Sequence, residues 1–199
     1  MARVGILGGT FNPPHVGHLV CAQEALVQLE LELVMLMPVF APPHKRVEGD
    51  PGVAHRVAMC EAAVAGDERL EVSLAEVERG GPSYTVDTLR ALHASAADDE
   101  LTWIMGGDMA YALPAWREPE VVLALASIGV AERDGLRRQD IRERLADLAG
   151  AAERMRFFDM PRIDVSSSLL RRRVAEGRPL RYLVPDAVRA HIDREGLYR

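Results

Sequence analysis

Two histidines stand three residues apart at the end of the run Gly8-Gly9-Thr10-Phe11-Asn12-Pro13-Pro14-His15-Val16-Gly17-His18. Imidazoles placed like this, just after a glycine pair, are suited to hydrogen-bond phosphate oxygens. The run follows the apolar segment Val4-Gly5-Ile6-Leu7 and precedes Leu19, Ala22, Leu26 and Leu29, which share one helical face. In the order strand, glycine-rich loop, helix, glycines let an anion approach the backbone, and the helix start offers N–H groups and a positive dipole end. The run is not the dinucleotide fingerprint G-x-G-x-x-G, and it lacks the lysine of a P-loop. It is read as a nucleotide phosphate site formed by Gly8, Gly9, Thr10, Phe11, His15 and His18.

Four more constellations carry groups of the right chemistry. Pro38-Val39-Phe40-Ala41-Pro42-Pro43-His44-Lys45 is a stiffened loop ending in Lys45, a compact charge suited to phosphate. Gly80-Gly81-Pro82-Ser83-Tyr84-Thr85 is a turn that opens a helix. Ser83 or Thr85 is expected to cap that helix, and its first N–H groups can hold a carboxylate. Gly106-Gly107-Asp108 places a carboxylate where ribose hydroxyls can donate to it, and Trp116 offers a flat face to an aromatic ring. The S-S-x-x-x-R run from Ser166 to Arg171 combines hydroxyls, a helix start and a guanidinium, with Ser167, Ser168 and Arg171 as the anion donors. His55, His93 and His191 lie in helical segments without partners at ligand spacing. No Cys, His or carboxylate cluster suggests a bound transition metal.

These groups need a frame. Short apolar runs at Val4–Leu7, Val34–Met37, Leu70–Ser73, Leu101–Met105, Ser127–Ala131 and Arg156–Phe158 alternate with helical patterns near 17–30, 53–65, 85–95, 119–125, 137–149, 168–176 and 185–194. Such alternation predicts an α/β fold, a doubly wound parallel sheet with helices on both faces. Functional loops then gather at the carboxyl ends of the strands. The 199 residues are read as one domain, 1–199, in which 38–52 is an active-site loop and not a boundary. With 48% hydrophobic residues the chain can bury a core. A net charge of −6 argues against nucleic acid as a partner, so any anion site must be local. Cys21 and Cys60 have no metal or redox spacing and read as buried thiols. Without a signal-peptide pattern or a membrane-length apolar stretch, the expectation is a soluble cytoplasmic protein that leaves a homo-oligomer open.

The longer string GGTFNPPHVGH resembles the H-x-G-H signature of the nucleotidyltransferases, and in particular bacterial nicotinate-nucleotide adenylyltransferases. Similar segments recur in order along the chain: P-x-x-x-P-P-H-K, G-P-S-Y-T-x-D-T-L, Gly-Gly-Asp for the family's Gly-Ala-Asp, Ser-Ser-Ser for its Ser-Ser-Thr, and the tail through Tyr198. The resemblance implies a Rossmann-like fold and transfer of the adenylyl group of ATP to nicotinate mononucleotide, yielding nicotinate adenine dinucleotide and pyrophosphate. It implies catalytic roles for His18, His15, Lys45 and Arg171. ATP would be held by Gly8, Gly9, Thr10, Phe11, His15, His18, Gly106, Asp108, Ser167, Ser168 and Arg171. The mononucleotide would be held by Lys45, Tyr84, Thr85, Asp108 and Trp116, and Mg²⁺ would ride on the ATP phosphates. Arg117 stands where relatives often carry an aromatic or histidine, which leaves the pyridine pocket open. Also open are another acceptor, such as nicotinamide mononucleotide or phosphopantetheine, a fragment of a tRNA-charging enzyme, and a non-catalytic nucleotide sensor.

Overall fold

A computed structural model describes residues 1–42, 48–132 and 136–199. Within them six strands form one wholly parallel sheet in the order β3-β2-β1-β4-β5-β6: β1 Arg3–Gly9, β2 Leu33–Pro38, β3 Leu70–Val72, β4 Glu100–Gly106, β5 Ser127–Glu132 and β6 Met155–Asp159. The helices are α1 Val16–Gln28, α2 Val53–Val64, α3 Ala75–Arg79, α4 Thr85–Ser95, α5 Gly107–Tyr111, α6 Pro119–Leu125, α7 Arg138–Arg144, α8 Ala151–Arg154, α9 Ser167–Ala175 and α10 Asp186–Glu195, with a 3₁₀ turn over Leu113–Ala115. The doubly wound fold expected from the alternating pattern is borne out. So is the continuous burial of Val4, Gly5, Ile6 and Leu7, because a central parallel strand is covered on both faces.

Each face of the sheet has its own core. On one side α1 lays Cys21, Ala22, Ala25 and Leu26 against Val34, Leu36, Ile104 and Phe158. On the other, Val86 and Leu89 of α4 and Val122 and Leu123 of α6 cover Ile6, Trp103, Ile128 and Val130. A third cluster joins Met59 of α2 to Leu170 of α9 and to Val188 and Ile192 of α10. Cys21 and Cys60 are buried, as expected, and burial pushes the Cys60 thiol far above its usual range.

Two expectations need correction. The helix predicted over 137–149 stops at Arg144, because Leu145 N–H is shared by the carbonyls of Ile141 and Arg142 and the chain then turns through Gly150 at φ 83°. His55 and His191, read as isolated, meet between α2 and α10 at 3.2 Å from Nδ1 to Nε2. The Arg194 guanidinium lies 3.0 Å from His191 Nδ1, so that nitrogen accepts and the neutral ring carries its proton on Nε2, toward His55.

Arg56 is the side chain that composition and pattern concealed. It is 1% exposed, on the inner stripe of α2 with Met59 and Cys60. Its Nε donates to Asp50 Oδ1 at 3.0 Å, Nη1 to the carbonyls of Thr10 at 3.2 Å and Val39 at 2.7 Å, and Nη2 to that of Phe40 at 3.3 Å. One guanidinium thus ties the loop after β1 to the loop after β2.

Arg56→Ala is expected to lower stability by about 3–5 kcal/mol, since it leaves three inward carbonyls and a carboxylate without their donor. A fall in the urea midpoint at unchanged slope would check this, and a shift under about 1 kcal/mol would contradict it.

Burial, the nearby Arg194 charge and His55 lower the pKa of His191, while Glu195 opposes them weakly. The unfolded chain therefore binds the proton more readily, and stability should fall as pH drops below the ordinary histidine value of 6.5. His191→Gln should flatten the loss of stability between about pH 7.5 and about pH 5.5, measured as urea midpoints. Parallel slopes for the two proteins would contradict it.

Candidate active site

In the observed strand order, connections from β1 and β4 leave toward opposite sides, and the crevice at a parallel sheet's switch point opens at their carboxyl ends. β1 delivers Gly8 and Gly9 there, and β4 delivers Gly106. The two β1 glycines serve internal packing. A Cβ on Gly8 would lie 2.9 Å from Trp103 Cζ2, and one on Gly9 would lie 3.0 Å from Phe11 Cζ. Phe11 is 1% exposed, at φ 48°. It can offer a nucleotide only its backbone, while its ring forms the floor. The expectation that these glycines clear space for a phosphate is corrected on the face where a Cβ would stand, because the protein's own aromatic rings fill it.

His15 is the N-cap of α1 and His18 lies in its first turn. The His15 N–H donates to His18 Nδ1 at 3.1 Å. An accepting Nδ1 puts the proton of neutral His18 on Nε2, which makes that nitrogen the donor. The two rings stack at 3.7 Å between centroids, and Phe11 meets His18 edge-on at 5.0 Å. Gly17 makes the stack possible: a Cβ there would stand 3.1 Å from His15 Nδ1. The helix start itself offers less than expected, because Val16 N–H is taken by the Leu183 carbonyl at 3.1 Å. The imidazoles are the donors that this end of α1 presents.

The start of α9 closes on the same loop. Ser166 caps the helix by accepting from Leu169 N–H at 3.2 Å. Ser167 Oγ donates to the Pro13 carbonyl at 2.8 Å, and Arg171 donates through Nη1 to the Asn12 carbonyl at 2.9 Å and through Nη2 to Ser168 Oγ at 3.3 Å. His15, His18, Ser167, Ser168 and Arg171 are therefore assembled around residues 12–18. Lys45 lies outside the described residues.

The second wall is built on α4 and on the segments after β4. Ser83 and Thr85 do not cap α4 with their side chains. The N-cap is Tyr84, at φ −84° and ψ 129°, and Ser83 Oγ accepts from Phe40 N–H at 3.1 Å. Ser83 N–H donates to the Ala41 carbonyl at 2.9 Å, so this turn is pinned to the loop after β2. The N–H groups of Thr85 and Val86 lie in the first turn, which has no intrahelical acceptor for them. Arg117 lies over the Tyr84 ring at 4.9 Å and 3.3 Å from Asp87. Trp116 and Tyr84 both pack, half-buried, against the core on this face. Asp108 is exposed in the first turn of α5, and a Cβ on Gly106 would stand 2.8 Å from its Oδ1. Thr10 links the two walls by its carbonyl, through Arg56.

Reading by motif missed Arg56, Asn12 and Tyr198. Arg56 was detectable as a charge at the head of the apolar stripe 56, 59, 60. Asn12 is 2% exposed and receives the Tyr198 hydroxyl from 186 residues away, a pairing to which local pattern is blind.

Comparison with known proteins agrees with this architecture. The family described as cytidylyltransferase-like matches residues 6–173. A relative from Thermomicrobium roseum that carries the name "Probable nicotinate-nucleotide adenylyltransferase" is 42% identical, with 100% of this chain and 92% of the relative covered. One of the same name from Roseiflexus castenholzii is 44% identical over 99% of this chain and 98% of its own. The structure of Plasmodium falciparum nicotinic acid mononucleotide adenylyltransferase complexed with NaAD superposes at a TM-score of 0.81, covering 100% of this chain and 98% of its own, at 14% identity, a likeness of fold. With the H-x-G-H pair at the switch point and full-length identity above two-fifths, the chain belongs to the cytidylyltransferase-like family, among its nicotinate-nucleotide adenylyltransferases.

Proposed function

We propose that this chain transfers the adenylyl group of ATP to nicotinate mononucleotide, giving nicotinate adenine dinucleotide and pyrophosphate. The observation that carries the reading is the fixed imidazole pair at the start of α1, with the Arg171 guanidinium docked beside it on the Asn12 carbonyl. The reaction needs little from a base, because the 5′-phosphate of the acceptor is already an anionic nucleophile. One of its oxygens attacks the α-phosphorus, the bond from that phosphorus to the bridging oxygen breaks, and pyrophosphate leaves with the electron pair. Catalysis then rests on holding the groups in line and meeting the charge that develops.

His18, with its proton on Nε2, donates to the α-phosphate oxygens as that charge grows. His15, Ser167, Ser168 and Arg171 hold the departing β- and γ-phosphates, and Lys45 joins them. Asp108 accepts from ribose hydroxyls above Gly106, and the backbone of Gly8, Gly9, Thr10 and Phe11 lines the nucleotide. Trp116 and Tyr84 flank the pyridine ring, and the Thr85 N–H faces its carboxylate. Among the described residues no group of three or more His, Cys, Asp or Glu is placed to hold a metal. Mg²⁺ would be carried on the ATP phosphates with water, with His18, Arg171 and Lys45 meeting the phosphates beside it, and its charge would help neutralise the polyphosphate. One parallel sheet carries both walls of the site, which supports reading 1–199 as a single nucleotidyltransferase domain. No helix among the described residues is long and apolar enough to cross a membrane.

His18→Ala should lower kcat for pyrophosphate release by on the order of 10²–10³, the usual cost of one preorganised transition-state donor, with ATP affinity changed far less. Near-normal turnover in that variant would remove His18 from its role.

The start of α4 makes the acceptor testable. A carboxylate suits helix N–H groups, whereas the amide of nicotinamide mononucleotide turns an NH₂ toward donors and leaves it unpaired, at about 1–3 kcal/mol or roughly ten- to a hundredfold in kcat/KM. Proline is tolerated at the first helical position and Tyr84 is already extended, so Thr85→Pro should keep the helix while deleting one donor. The wild type should prefer nicotinate mononucleotide, and Thr85→Pro should narrow that preference with the ATP constants little changed. Equal kcat/KM for the two acceptors in the wild type would mean that the acceptor is misassigned.

A further inference from the structure

The carboxyl terminus turns back under the site. Gly196 ends α10 in the left-handed conformation at φ 63°, Leu197 N–H donates to the Ile192 carbonyl at 3.0 Å, and the Leu197 side chain joins the cluster of Met59, Val188 and Ile192. Tyr198 then adopts φ 66°, a conformation disfavoured for any residue with a Cβ. This bend carries its ring beneath the glycine-rich loop. There the hydroxyl donates to Asn12 Oδ1 at 2.6 Å and lies 3.9 Å from Met59 Sδ.

The direction of that hydrogen bond follows from Asn12. Its Nδ2 donates to the carbonyls of Glu48 at 3.2 Å and Gly49 at 3.3 Å, so Oδ1 must face the phenol, and the phenol must donate. Burial pushes the Tyr198 phenol well above its ordinary pKa, which keeps the proton in place. Asn12 also accepts from Arg171 through its own carbonyl, and Gly49 packs so closely that a Cβ there would lie 3.3 Å from Arg171 Nε. The tail, the segment after β2 and the Arg171 guanidinium therefore meet at one asparagine.

We propose that Tyr198 is a positioning residue of the phosphate site, its hydroxyl setting the place of the Arg171 guanidinium through Asn12. The inference rests on the function proposed above. The hydroxyl locks the Asn12 amide, the locked amide holds Gly49 and the loop carbonyl in place, and these form the seat on which Arg171 rests. A phenylalanine would fill the same volume and leave Asn12 Oδ1 without its donor. The seat would loosen while the core stayed intact.

The test is a cycle of Tyr198→Phe, Arg171→Ala and the double variant. ATP binding is measured by calorimetry, and pyrophosphate release is followed with ATP and nicotinate mononucleotide varied in turn. Tyr198→Phe should bind ATP roughly tenfold more weakly, the scale of one buried hydrogen bond, and leave KM for nicotinate mononucleotide within about twofold. The double variant should bind ATP no worse than Arg171→Ala alone, because without the guanidinium nothing is left to position. Unchanged ATP affinity in Tyr198→Phe, losses that multiply in full, or an equal rise of KM for both substrates would each overturn the proposal. The calorimetric cycle is independent of turnover. A wild type that binds ATP but releases no pyrophosphate defeats the proposed reaction while still deciding the role of Tyr198, and a wild type that binds no ATP defeats both.

Discussion

The site depends on one buried cation. The guanidinium of Arg56 is out of water, and a charge in such a place persists only if nearly every N–H finds an acceptor. Asp50 supplies the counter-charge, and the carbonyls of Thr10, Val39 and Phe40 supply the rest. Those carbonyls belong to the loops that leave the adjacent strands β1 and β2, where the backbone itself adds only the Val39 N–H on the Gly9 carbonyl and the bridge from Ala41 to Pro82. A planar fork with fixed donor directions suits the task, because it can satisfy several main-chain oxygens in one plane. The loops on which the site is built are thereby held by a residue with no proposed contact to the substrates.

A second set of contacts centres on Asn12. Asn12 and Pro13 offer their carbonyls to Arg171 and Ser167, and Asn12 offers its side chain to Glu48, Gly49 and Tyr198. The α9 cation and the α1 imidazoles are thus referred to the same few atoms of backbone. This allows a chain of net charge −6 to gather positive charge at one place. Local donors set the field in the crevice, and a bound nucleotide that displaced water there would make each worth more than at an open surface.

The fold was largely legible because periodicity reports burial. A strand covered on both faces reads as a continuous apolar run, and a helix resting on a sheet reads as small and branched residues at helical spacing. The site was legible where chemistry is concentrated in consecutive residues, as in 8–18 and 166–171. It was not legible where the acting group is ordinary in type and distant in sequence. Arg56 resembles any solvated arginine until α2 turns it inward. Tyr198 belongs to the site only because α10, Gly196 and a left-handed backbone bring it there. Ser83 was expected as a cap and proved to be a link between loops, since capping is a statement about one helix and the Phe40 N–H lies on a different strand end.

The histidine motif itself has a structural logic apart from phosphate. Its middle glycine favours the pair, because a Cβ there would crowd the His15 ring at 3.1 Å, and that ring stacks on His18. The first histidine's main chain donates to the second histidine's Nδ1, which leaves Nε2 as the only nitrogen of neutral His18 able to donate outward. Phe11, buried and strained at φ 48°, meets His18 in a T-shaped contact. A free imidazole divides its proton between two nitrogens and turns about two bonds. Here the backbone selects the tautomer, while stacking and the Phe11 edge select the ring plane. What H-x-G-H encodes is therefore a donor whose direction is set before any nucleotide arrives, and the reorganisation that a mobile imidazole would require at the moment of reaction has already occurred during folding.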